Sequence, residues 1–180
     1  RVGIVGFGAI GRRLAELLAP FKVQLFVHDP FVSPAVLQAA DARSVPLLSM
    51  MSEAEIVVIA AAANAGSKYL IGRREITALG KNAVFVNTAR AALVDQTALI
   101  ARLKKGDLYA ALDVFDPEPL PKNSPLRRLP NVYMTPHRAG GVIESVQRAA
   151  AMLVDELTAF AAGRPRNHAL TPEMVASLDD

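Results

Sequence analysis

The stretch Gly6-Phe7-Gly8-Ala9-Ile10-Gly11 follows an apolar run, Val2-Gly3-Ile4-Val5, and has the spacing Gly-x-Gly-x-x-Gly. Such a turn suits a phosphate. Gly6 permits a sharp reversal, Gly8 has no Cβ and lets a pyrophosphate approach the backbone, and Gly11 lets a following helix pack closely on the strand. The start of that helix offers unpaired N–H groups and a positive dipole end. Asp29 lies eighteen residues beyond Gly11, at the end of a second apolar run. A carboxylate there can accept hydrogen bonds from both hydroxyls of an adenosine ribose and would repel a 2′-phosphate, which favours NAD over NADP. Further polar residues fall just after apolar runs: Asn87 to Arg90, Asp113 with Glu118 shortly beyond, and His137.

The elements that must position these residues alternate in type. Strands are expected at 23–28, 45–48, 56–60, 83–86, 108–112 and 132–134. Helices are expected at 12–18, with Leu14, Leu17 and Leu18 on the buried face, and at 34–42 and 73–79. Ser49 is expected to cap a helical turn reaching Ala54, and Asp95 to cap a helix over 96–105 that buries Leu99, Ile100 and Leu103. A long helix over 142–162 carries apolar residues at Val142, Val146, Ala149, Leu153, Leu157 and Phe160. The stretch 115–130 holds five prolines and reads as an irregular loop of a length usually kept for function. Strands separated by helices of this length imply an α/β fold, a doubly wound parallel sheet in three α/β/α layers, the Rossmann fold. In such a sheet the polar strand ends converge on one crevice.

Composition bounds the function. The 180 residues fit one domain with a short appendage, and 52% hydrophobic content with a mean hydropathy of +0.26 describes a globular chain. Net charge is +3 and neither sign runs in a block, so nucleic acid is not an expected partner. There is no cysteine, which removes disulfides, thiolate metal sites and a cysteine nucleophile. No metal site is expected. The longest apolar run, residues 56–63, is well short of the roughly 20 needed to span a bilayer, so no membrane role is expected and a cytoplasmic location is. The chain opens on Arg1 and enters a core strand at once, which suggests a piece of a longer polypeptide.

Three ordered stretches, residues 86–95 (Val-Asn-Thr-Ala-Arg-Ala-Ala-Leu-Val-Asp), 111–121 (Ala-Leu-Asp-Val-Phe-Asp-Pro-Glu-Pro-Leu-Pro) and 135–140 (Thr-Pro-His-Arg-Ala-Gly), carry a resemblance. With the glycine turn and Asp29, the chain resembles the NAD-binding domain of the D-isomer-specific 2-hydroxyacid dehydrogenases from Arg1 to about Asn167. The resemblance implies that Arg90, Glu118 and His137 are the catalytic set. Arg90 would hold the substrate carboxylate, because a guanidinium is always charged and offers a planar fork of donors. His137 would exchange a proton with the substrate oxygen, and Glu118 would orient the ring and favour its protonated form. The cofactor NAD would lie against Gly6, Phe7, Gly8, Ala9, Ile10, Gly11, Asp29, Pro30, Thr88, Ala89, Arg90, Asp113 and His137, with hydride transfer between the nicotinamide and a 2-hydroxy or 2-oxo acid.

Some positions depart from the family pattern. Where His-x-Pro-Leu-Thr is usual the chain has Ala60 to Ala63 and Asn64, which makes Asn64 a substitute cofactor contact. Ala91 and Lys22 replace usual glycines, and Arg138 stands where a small or apolar residue is common. Residues 1–166 are expected to form the NAD-binding domain, and 167–180 a linker or the start of a return to a substrate domain outside this chain. The resemblance also implies a homodimer. An alternative from another class is an NAD-sensing binding module of the corepressor type.

Overall fold

The computed structural model describes residues 1–172 and 175. Seven strands form a single sheet: β1 (Val2–Val5), β2 (Leu25–His28), β3 (Ala42–Ser44), β4 (Ile56–Ile59), β5 (Ala83–Asn87), β6 (Leu108–Leu112) and β7 (Val132–Met134). Their order is β3-β2-β1-β4-β5-β6-β7, and every neighbouring pair is parallel. Parallel strands covered on both faces read as nearly continuous apolar runs. Alternate residues serve opposite faces. Val2 and Ile4 of β1 join Leu25 and Val27 in a cluster with Ala15 and Leu37, which lie on α1 (Ala9–Leu18) and α2 (Pro34–Ala39). Val5, Val57, Ile59 and Phe85 join the opposite cluster with residues of α3 (Leu47–Glu53), α4 (Arg73–Ala78) and α5 (Gln96–Leu103). The three-layer arrangement expected from the alternation is present.

The order of strands reverses between β1 and β4, which places a crevice outside the carboxyl ends of those two strands. The glycine turn leaves β1 at that crevice.

Several local expectations need correction. Helix α1 begins at Ala9, earlier than the apolar stripe suggested, and buries Gly11 and Ala15, whereas Leu17 is 55% exposed. Small residues win the buried face because the helix must approach the turn closely: a Cβ on Gly11 would lie 2.4 Å from the Gly6 carbonyl oxygen. The strand expected at 45–48 does not form. Strand β3 ends at Ser44, and Pro46, with φ −59°, caps α3, so that Ser49 sits inside the helix instead of capping it. Proline at a helix start needs no N–H partner. This earlier start carries Met50 and Met51 into full burial.

The proline-rich stretch is irregular but packed. Val114, Phe115, Leu120 and Leu126 are buried, residues Pro125–Arg128 form a 3-10 turn, and the Arg127 guanidinium donates to the carbonyls of Leu120 and Pro121 at 2.6 and 2.9 Å. Helix α6 (Ile143–Ala161) forms where its pattern predicted, yet none of its residues is buried. Beyond it, Gly163 takes a left-handed turn (φ 62°) and the Asn167 N–H donates to the Glu156 carboxylate at 3.0 Å. The far end of the linker expected at 167–180 lies outside the described residues.

Candidate functional site

Each glycine of the turn has its own constraint. Gly6 has φ 88°, and a Cβ there would lie 2.4 Å from the Ala61 Cα on the loop after β4. Only glycine fits both conditions. A Cβ on Gly8 would meet nothing within 4 Å, so this atom's absence opens space over the turn. Helix α1 has no side-chain cap and no acidic residue in its first turn, leaving its N–H groups and dipole to a ligand. Across the turn, the Asp29 carboxylate accepts from the Phe7 N–H at 2.7 Å and from the Phe31 N–H at 2.9 Å. These two bonds fix Asp29 at the end of β2 with lone pairs remaining for further donors. The Phe7 side chain is 2% exposed and belongs to the core, so Phe7 faces the turn only with its backbone. Ala9, Ile10 and Pro30 are exposed there. An open cradle at Gly8, bare helix N–H groups and a pinned carboxylate together fit the diphosphate and ribose of a dinucleotide.

At the ends of β5, β6 and β7 the polar residues are tied to one another. Buried Asn87 donates from Nδ2 to the Arg90 carbonyl at 3.0 Å and accepts from the Ala89 N–H at 3.1 Å, which bends residues 87–90 into a fixed turn. Thr88 and Arg90 are exposed on that turn. The Asp113 N–H donates to the Asn87 carbonyl at 3.0 Å, joining this turn to the end of β6.

Asp113 is 1% exposed, and its carboxylate accepts from the Thr135 hydroxyl at 2.5 Å and from the N–H groups of Arg138 and Ala139 at 2.8 Å each. Burial by itself raises this carboxyl, but the Thr135, Ala139 and Arg138 donors and nearby His137 outweigh it and hold it below the usual aspartate range. The negative charge thus stays in place and fastens the loop that carries His137. That residue has φ 52°, uncommon for a non-glycine residue, and the bonds on either side of it hold the conformation.

His137 Nδ1 lies 2.7 Å from Glu118 Oε2. The other Glu118 oxygen accepts from the Phe115 N–H at 2.8 Å, which closes the proline-rich loop back on itself. The histidine bond, followed by that N–H, holds the Glu118 carboxyl below the usual glutamate range. The His137 and Glu118 side chains remain 47% and 35% exposed, so the pair is open to solvent.

Of the expected residues, His137, Glu118 and Asp113 are brought together, and the glycine turn joins Asp29. Among the described residues no hydrogen bond or ion pair links Arg90 to His137 or Glu118; its guanidinium donates to the Ala89 carbonyl at 2.8 Å. Asn64 accepts from the Gly66 N–H at 3.0 Å and so caps its own loop. Sequence reasoning places Asn87 at a strand end without the bonds it makes, and misses two further positioning residues: Thr135 and Gln96, whose side-chain amide brackets Asp116 through its carbonyl at 2.7 Å and its N–H at 3.2 Å. Asn87 and Thr135 stand next to strand ends, where such bonds are needed. Gln96 carries no such signal.

Comparison with known proteins agrees with this geometry. Residues 1–139 match the family description "D-isomer specific 2-hydroxyacid dehydrogenase, NAD binding domain". The chain is 35% identical over 175 residues to a glyoxylate reductase of Aeropyrum pernix, covering 97% of this chain and 52% of that protein. It is 36% identical over 160 residues to a D-3-phosphoglycerate dehydrogenase of Methanocaldococcus jannaschii, covering 86% of this chain and 30% of that one. The solved 2-hydroxyacid dehydrogenase of Ketogulonicigenium vulgare superposes with a TM-score of 0.78 at 37% identity, over 92% of this chain and 52% of that chain. The chain therefore spans about half the length of the Aeropyrum relative, or less in the Methanocaldococcus case. With its parallel sheet, its glycine turn and these matches, the chain belongs to the D-isomer specific 2-hydroxyacid dehydrogenase family, of which it carries the NAD-binding domain.

Proposed function

We propose that this chain is the cofactor half of an oxidoreductase that interconverts 2-oxo acids and D-2-hydroxy acids. The observation that carries the reading is the His137–Glu118 pair at 2.7 Å, exposed at the strand ends that also bear the dinucleotide turn. The N–H groups after Gly6 would hold the diphosphate, and Asp29 would take the adenosine ribose and disfavour a 2′-phosphate. When bound, NADH supplies the hydride that the protein has no group to provide. Protonated His137 gives its proton to the substrate oxygen as the 2-oxo acid becomes the 2-hydroxy acid, and takes it back in the reverse direction. Glu118, ionised, holds the ring by Nδ1 and leaves Nε2 for the substrate. Arg90 receives the substrate carboxylate with its guanidinium fork.

Residues 1–166 serve as the NAD-binding domain, with the segment from 167 leading towards a substrate domain of the complete polypeptide. The exposed apolar stripe of α6 supports a homodimer, and a cytoplasmic setting suits the cofactor. No helix among the described residues is long and apolar enough to cross a membrane.

The test is NADH oxidation by the complete polypeptide with a panel of 2-oxo acids. The expected result is turnover with at least one of them, a lower rate with NADPH, and a loss of roughly 100-fold or more in His137→Gln, the lower end for general acid–base catalysis. No turnover with any 2-oxo acid, or an unimpaired histidine variant, would overturn the reading.

A further inference from the structure

We propose that Arg12 grips the dinucleotide diphosphate from the first turn of α1, an inference that rests on the NAD-binding reading above. The glycine turn has donors but little charge. The side chains of Phe7, Ala9 and Ile10 are apolar, and a helix N-terminus offers the equivalent of about half a positive charge, against the roughly two negative charges of a diphosphate. Arg12 supplies the difference. Its backbone N–H donates to the Gly8 carbonyl at 3.0 Å as the helix requires, and its Nε reaches back to the same oxygen at 3.3 Å. A helical side chain leans towards the N-terminus, and this second bond ties Nε to Gly8 at the start of the helix. The terminal nitrogens of Arg12 have no partner among the described residues, and the residue is exposed.

The neighbouring arginine provides the contrast. Arg13 Nη1 is held by Glu16 at 2.6 Å, and its charge is already neutralised on the helix surface. One arginine of the Arg-Arg pair is thus closed into an ion pair and the other is left open beside Gly8, the one glycine of the turn over which a Cβ would meet nothing. A planar fork next to a cradle of backbone N–H groups is suited to two phosphate oxygens.

The test is calorimetric binding of NADH, ADP-ribose and adenosine to the complete polypeptide and to Arg12→Gln, Arg12→Lys and Arg13→Gln. Arg12→Gln is expected to weaken NADH and ADP-ribose alike by about 10-fold or more, the scale of a charge-assisted hydrogen bond, and to leave adenosine unchanged. Arg12→Lys recovers part of the loss, and Arg13→Gln binds all three as the parent does. Raising the salt concentration narrows the difference between parent and Arg12→Gln, because the guanidinium is exposed. NADH binding to Arg12→Gln within twofold of the parent overturns the inference while leaving the NAD reading intact. Equal losses for adenosine and ADP-ribose overturn it too, since the effect would then be structural. A parent that binds no NADH removes both.

Discussion

Replacing Asp113 by Asn removes one charge and almost no volume, and it should loosen the loop that holds His137. The carboxylate accepts three donors, two on Oδ1 and one on Oδ2, in a site that is 1% exposed. In the better orientation the asparagine oxygen keeps Thr135 and Arg138. Its NH2 group then meets the Ala139 N–H, donor against donor. One charge-assisted bond is lost, worth about 1.5–3 kcal/mol, and two N–H donors in a partly buried site face each other with no acceptor. A net cost of about 3 kcal/mol corresponds to a fall in Tm of roughly 6–12 °C for a domain of this size.

The pH dependence gives the check. Asp113 is held below its usual range in the folded chain, so its stabilisation is fully present above about pH 3.9 and is lost as pH falls through the lowered folded value. Thermal unfolding of both proteins at pH 7 and pH 3 is the assay. The gap between wild type and Asp113→Asn should narrow at the lower pH. An unchanged Tm at pH 7, or a gap that persists undiminished at pH 3, refutes the argument that the charge fastens the loop.

Two other substitutions separate positioning from folding. Glu118→Gln should lower kcat by about 10-fold or more while leaving the KM for NADH near its wild-type value, because the ring loses a charged partner but the cofactor turn is untouched. In wild type the Glu118 contribution is complete above about pH 4.3 and disappears as pH falls through its lowered value, so the pH–rate profile of the Glu118→Gln variant should lack that acid-side loss. Gly8→Ala should fold normally, within about 0.5 kcal/mol of wild type, yet bind NADH poorly, since its Cβ enters open space that the diphosphate needs. Gly6→Ala should instead cost more than about 2 kcal/mol, because its φ of 88° and the Ala61 Cα at 2.4 Å both resist a side chain. Paired melting curves and NADH titrations distinguish the two glycines.

The sequence made the sheet legible because its strands are buried on both faces and read as short apolar runs ending in polar residues. The same logic located Asp29, Asn87 to Arg90, Asp113 and His137 at strand ends. It failed at β3 and α3, where the apolar residues Val45, Leu47 and Leu48 suit either element; the geometry of Pro46 decided, and periodicity over four residues does not encode it. It also misjudged α1, because leucine spacing marks a buried face by hydrophobicity alone, whereas closeness to the turn favours Gly11 and Ala15. At the site, sequence and resemblance named candidate residues but not the bonds between loops. The resemblance implied a cofactor contact at Asp113; its oxygens also bind Thr135, Arg138 and Ala139, a positioning role that depends on a loop after β7 more than twenty residues away.

Those bonds explain how a site made of loops keeps its dimensions. The Gly6 N–H donates to the His28 carbonyl at 2.9 Å, the Asp113 N–H to Asn87 at 3.0 Å, and the Thr135 N–H to Leu112 at 3.0 Å, so each functional loop leaves the sheet by continuing its ladder for one more bond. The separation between the glycine turn and the His137–Glu118 pair is then set by strand spacing across β1, β4, β5, β6 and β7 together with the bonds that fix each loop. A rigid sheet suits hydride and proton transfer, which require donor, carbonyl and acid to be aligned at once. Arg90 stands apart from this arrangement: its turn is fixed by Asn87, but among the described residues its guanidinium bonds only its neighbour's carbonyl. In the proposed reading, the His137–Glu118 pair and the glycine turn are thus held by the fold, and Arg90 is left free to meet a substrate carboxylate.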